Sequence, residues 1–188
     1  MKNLSQIIRI VTVAPVIAFL MLLILFLQNA ALFGSPVHFL LAILFLTIFP
    51  LLAYPLQPFF KKYKGKGREG QRALAINFAV AGYIGGCLSA IFWDAPKSVR
   101  IIYLTYLLSG VLILLSTKLL HFKASGHACG VAGPCAFLLY FGEPLGFFGI
   151  PILALAWLSS LSMKRHTAAQ LLGGTLIPII ALGIVISI

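Results

Sequence analysis

Seven apolar runs take up most of this chain, and the polar gaps between them are too short to fold alone. The runs cover about Ile10–Leu27, Phe39–Phe59, Leu74–Trp93, Ile101–Leu119, Gly130–Phe141, Phe147–Leu161 and Ala168–Ile186. A helix crosses the hydrocarbon core in about 20 apolar residues, with every backbone N–H and C=O bonded inside the segment. The fifth and sixth runs fall short of that length and are joined by Gly142-Glu143-Pro144. Either their ends extend into the neighbouring gaps, or they form a hairpin that does not fully cross. The expected fold is therefore all-α, a polytopic transmembrane helix bundle of six or seven spans, with residues 1–188 as one integral membrane domain. The first run follows Lys2 and Arg9 as in a signal sequence, but it exceeds the usual apolar stretch of about 7–15 residues. It reads as a transmembrane helix that is retained.

Charge supports the same architecture. Only 9% of residues are charged and the mean hydropathy is +1.09, whereas soluble domains carry roughly 25% charge. Fourteen Lys and Arg face three acids, giving a net charge of +11. Twelve of the fourteen lie in the amino terminus and the gaps 61–72, 118–127 and 164–166. The intervening gaps hold Asp94, Lys97, Arg100 and Glu143, which sum to zero. By the positive-inside rule the basic face is cytoplasmic in a multi-pass cell-membrane protein, with the carboxyl terminus outside. Cations that bind substrate would not report on topology, so the same residues carry two readings. No aromatic-interleaved basic surface appears, which argues against nucleic acid as a partner. Cys87, Cys129 and Cys135 all fall in apolar segments with no CxxC or Cys/His ligand spacing, so no metal and no cofactor is expected. They read as small buried apolar residues. Pro50, Pro55, Gly85-Gly86, Gly133-Pro134 and Gly173-Gly174 suit kinks and close helix contacts, or ordinary membrane-helix usage. A homo-oligomer is left open.

Three basic gaps carry groups that lipid packing does not require. The first, Lys61 to Arg72, is either a solvated, topology-setting loop or a phosphate grip in which Lys61 and Arg68, or Arg72, turn inward. Its three glycines would let such a loop fold over a headgroup. The second, Lys123-Ala124-Ser125-Gly126-His127, sets a cation, a hydroxyl and an imidazole at a membrane edge. A helix starting near Ser125 would turn its N–H groups and positive end toward an anion. The third runs from Ser159 to Gln170. His166 and Gln170 are four apart, so a helix puts them on one face, where the Gln oxygen could accept from one ring nitrogen and leave the other as a nucleophile. Two histidines and several cations on one edge suggest phosphoryl transfer through a phosphohistidine, the cations stabilising charge on the equatorial oxygens.

These residues carry a family resemblance. Lys123-Ala124-Ser125-Gly126-His127 resembles the Pro-Ser-Gly-His motif of the type 2 phosphatidic acid phosphatase family. Ser159–Gln170 resembles its Ser-Arg-x5-His-x3-Asp motif, and Lys61-x6-Arg68 its Lys-x6-Arg-Pro motif. The resemblance spans roughly Lys61 to Gly174, which makes residues 61–188 a phosphatase-like core behind two transmembrane helices. It implies that His166 attacks phosphorus and that His127 protonates the leaving oxygen. It further implies that Lys61, Arg68, Ser125 and Gly126 hold the phosphate; Lys123 is a further candidate cation from the residues themselves, and Arg165 or Lys164 could substitute for the missing Arg. The substrate would be a membrane lipid phosphate or a polyprenyl (pyro)phosphate. Four positions depart from the pattern: Ala124 and Glu69 stand where Pro is usual, Ser160 where Arg is, and Gln170 where Asp is. Two further readings remain: a catalytically silent relative that binds or moves an anionic lipid, and a membrane subunit of a larger assembly.

Overall fold

The computed structural model describes residues 11–188, except the side chain of Arg68. Lys2, Arg9 and the start of the first apolar run lie outside the described residues. Among the described residues, seven helices of eight residues or more follow one another: α1 (Ala14–Gln28), α2 (Pro36–Phe59), α3 (Gly67–Phe92), α4 (Lys97–Lys118), α5 (Gly126–Tyr140), α6 (Gly149–Ser162) and α7 (Ala168–Ile186). A 3₁₀ turn, Pro144–Phe148, leads into α6. Among the described residues there is no strand, and the fold is a helical membrane bundle. Five segments among the described residues are long and apolar enough to cross a membrane: α2, Glu69–Phe92 of α3, α4, Pro144–Ser162 and α7.

The helix starts follow local chemistry. Pro15 and Pro36 occupy first turns, where a missing N–H costs no bond. Ser35, Ser125 and Thr167 each cap a helix with a side-chain oxygen. The gap Lys61–Arg72 is shorter than its charge pattern suggests. Its last six residues form the opening turns of α3, because Gly70 lets the helix start directly beside the Tyr63 carbonyl, 2.7 Å from where a Cβ would lie. Within α2 the Leu44–Ile48 turn is a π-bulge, and Pro50 follows it. The bulged segment seats in a glycine notch of α3, where a Cβ on Gly82 would lie 2.4 Å from the Phe45 carbonyl.

The surface is what a lipid-facing bundle requires. Leu27, Phe92, Leu120 and Ile150 are each more than 60% exposed, while Thr105, Ser109 and Tyr103 are buried. Lipid tails are as apolar as Leu, so contact between helices rests on close packing of small residues. Helix α5 shows this most clearly. It has 15 residues and packs on α7, α1 and α6 at once. Both short runs do extend into their gaps, back to Gly126 and back to Pro144.

The two ends of the bundle differ in content. At one, the His38 ring ties Phe33 O (2.8 Å) to Trp93 O (3.1 Å), and Arg100 pairs with Asp94. At the other, α5 and α7 begin side by side.

Candidate active site

Ser125 joins the two helix starts. Its hydroxyl accepts from the Ala128 N–H (3.3 Å), and its own N–H donates to the Gln170 carbonyl (2.9 Å). Gly174, one turn on, makes the crossing possible, since a Cβ there would sit 2.2 Å from the Ser125 carbonyl oxygen. Two helix amino termini thus open onto one patch of the membrane edge, which favours an anion. His127 lies in the first turn of α5 and is half-buried. Its Nε2 shares a 3.0 Å hydrogen bond with Thr12 Oγ1, just ahead of α1.

His166 and Gln170 do meet, with Nδ1 and Oε1 3.1 Å apart. Helical periodicity is not the cause, because His166 precedes the helix and Thr167 is its cap. The two meet through a capping box. The Gln170 N–H donates to Thr167 Oγ1 (3.3 Å), and Gln170 Oε1 reaches back to accept from the Thr167 N–H (3.2 Å). That second bond also settles the protonation pattern. A backbone N–H can only donate, so the amide atom facing it is oxygen; that oxygen also faces His166 Nδ1, which must therefore carry a hydrogen. In the neutral ring the lone pair then lies on Nε2.

The approach to His166 is set by the end of α6. The Lys164 N–H donates to Leu161 O (2.9 Å) and the Arg165 N–H to Ser160 O (3.0 Å), the paired closing bonds of a Schellman motif. Lys164 takes the left-handed position at φ 52°, where glycine is usual. Lys164, Arg165, His166, Thr167, Gln170 and Leu161 line an open groove of about 320 Å³. Ser160 is fully buried. The exposed cations of the groove are instead Lys164 and Arg165.

Of the residues expected from the sequence, the structure brings together His166 and Gln170 and ties Ser125 to the Gln170 backbone, while Gly126 and His127 follow Ser125 in α5 with His127 bonded to Thr12. Lys123 is exposed two residues before the α5 cap, and Arg165 lies on the groove wall. Lys61 is exposed on the turn between α2 and α3. Helix α3, which follows that turn, packs on α4, and α4 packs on α7. Arg68 opens α3, and its side chain is outside the described residues. Thr12, 115 positions from His127, escaped sequence reasoning; Thr167 was legible as a Thr-x-x-Gln capping signature, and Gly174 as one of the glycines that suit close helix contact, without its partner. Among the described residues, no group of three His, Cys, Asp or Glu is placed to hold a metal ion. Comparison with protein-family models, curated proteins and solved structures gives no match for this chain.

Proposed function

We propose that this protein is an integral membrane phosphatase that hydrolyses a lipid phosphate or a polyprenyl (pyro)phosphate through a phosphohistidine. The observation that carries the reading is the orientation of His166. Gln170 Oε1 stands 3.1 Å from Nδ1 and takes its hydrogen, and the ring lines a groove walled by Lys164 and Arg165. In the first step Nε2 attacks phosphorus, the P–O bond to the lipid breaks, and His127 gives its proton to the leaving oxygen. In the second step water attacks phosphorus, His127 takes the water proton, the P–N bond breaks and inorganic phosphate leaves. The cations and the two helix amino termini offset charge on the transferring group. The resemblance to the type 2 phosphatidic acid phosphatases supports the same roles for His166 and His127. On charge grounds the site opens at the cytoplasmic face of the cell membrane.

The test is phosphate release from lipid phosphates by the purified protein in detergent, without added metal. His166→Ala is expected to abolish release and to remove an acid-labile phosphoprotein trapped during turnover. Release at the parental rate by that variant overturns the assignment. A second reading, a silent relative that binds an anionic lipid, draws on the Thr12 hydroxyl already bonded to His127 Nε2. Binding that survives loss of both histidines, with no turnover by the parent, would select it.

A further inference from the structure

A second groove lies between α2 and α3, below the lysine-rich turn. It encloses about 380 Å³, walled by Phe49, Phe60, Leu74 and Phe78, with Tyr63 and Asn77 as its polar lining. That volume sits at the lower end of small-ligand sites, roughly 300–1,000 Å³, and suits one aliphatic chain. The turn above it is ordered. The Gln57 side-chain amide donates to both Tyr63 O (3.2 Å) and Gly67 O (2.9 Å), and the Gly70 N–H donates to Lys66 O (3.2 Å). Asn77 Nδ2 donates to the Tyr63 hydroxyl (2.7 Å), which leaves the phenol hydrogen for an acceptor at the mouth. Lys62 Nζ stands 5.7 Å from the Tyr63 ring centroid, a cation–π distance that keeps an ammonium beside the opening. Lys61, Lys62, Lys64 and Lys66 are all exposed on this turn, and the nearest acid in the sequence is Glu69.

An apolar slot open to the bilayer, beneath fixed cations at headgroup level, has the two-part chemistry of an anionic lipid. We propose that this groove is a second lipid site, taking one chain of an anionic phospholipid along α2 and α3 with its phosphate under Lys62, Lys64 and Lys66. The Tyr63 hydroxyl donates to a phosphate or ester oxygen of the same lipid. The site is separate from the phosphoryl-transfer groove, with which it shares no lining residue.

Native mass spectrometry of the full-length protein in detergent tests this, using dipalmitoyl phosphatidylglycerol against phosphatidylcholine with the same chains. The parent is expected to retain phosphatidylglycerol preferentially. The triple variant Lys62→Gln, Lys64→Gln, Lys66→Gln should lower its affinity for that lipid by roughly fivefold per cation removed at low salt, with phosphatidylcholine retention unchanged. Ala81→Trp, which puts an indole into the groove lining, should lower retention of both lipids while helix content by circular dichroism stays at the parental level. His166→Ala should retain phosphatidylglycerol as the parent does, which separates this site from the proposed catalytic one. Equal retention of the two lipids by the parent, or parental phosphatidylglycerol retention by the triple variant, overturns the proposal. Parental retention by Ala81→Trp overturns the assignment to this groove.

Discussion

Gln170 does several jobs with one side chain, and each has a separate consequence. Its oxygen closes the capping box of α7 and holds the His166 ring, while its backbone carbonyl accepts from Ser125. Gln170→Ala should therefore cost about 1 kcal/mol of stability through the lost cap, and phosphate release should fall with it. Gln170→Glu keeps the reach of the side chain, suits the first turn of a helix, and sets a carboxylate against Nδ1–H. It should preserve the melting temperature in detergent and raise kcat, since a carboxylate stabilises the imidazolium better than an amide does. A lower kcat for Gln170→Glu would show that the amide is required. Lys164 poses a different trade. Its left-handed backbone costs roughly 1–2 kcal/mol for a side-chain-bearing residue, so Lys164→Gly should raise the melting temperature. Because the same change strips a cation from the His166 groove, kcat/KM should drop. His127→Ala should lower kcat by about 10²–10⁴, the usual weight of a general acid, and flatten the alkaline limb of the pH–rate profile.

At the scale of elements, the site depends on how closely α5 and α7 approach, and a residue without any functional group controls that. Gly174→Ala would place a methyl 2.2 Å from the Ser125 carbonyl, backbone against backbone, where no rotamer can give way. Overpacking of this kind costs typically about 1–3 kcal/mol. It should lower the melting temperature and phosphate release together, although Gly174 touches no substrate. Gly183→Ala on the same helix meets nothing within 4 Å and serves as the control. Should Gly174→Ala keep both stability and turnover, the crossing would not be what positions the site. The α2 bulge belongs to the same logic, for Gly82 and Gly85 admit Phe45 where larger residues would separate α2 from α3.

At the scale of the whole molecule, the helices alternate so that the turns after α2, α4 and α6 share one end. Single cysteines at Lys66 and Lys164, in a background lacking Cys87, Cys129 and Cys135, should react with an impermeant reagent from one side of sealed vesicles. A cysteine at Lys97 should react only from the other. Labelling of Lys66→Cys and Lys164→Cys from opposite sides would break the seven-helix topology. That much was legible beforehand. The spacing of apolar runs dictates helices, because in lipid no other open segment can satisfy its own backbone, and Ser125 and Thr167 announce where two of them start. His166 and Gln170 were also legible as partners, since they lie in one short segment. The long-range half of the site was not. Nothing local to Thr12 marks it as the neighbour of His127, and nothing local to Ser125 says that its N–H meets the Gln170 carbonyl. Those relations come from which helix packs on which. Between apolar helices in lipid that choice rests on close packing, where a missing Cβ lets two backbones touch, and on the few polar groups that then meet across helices.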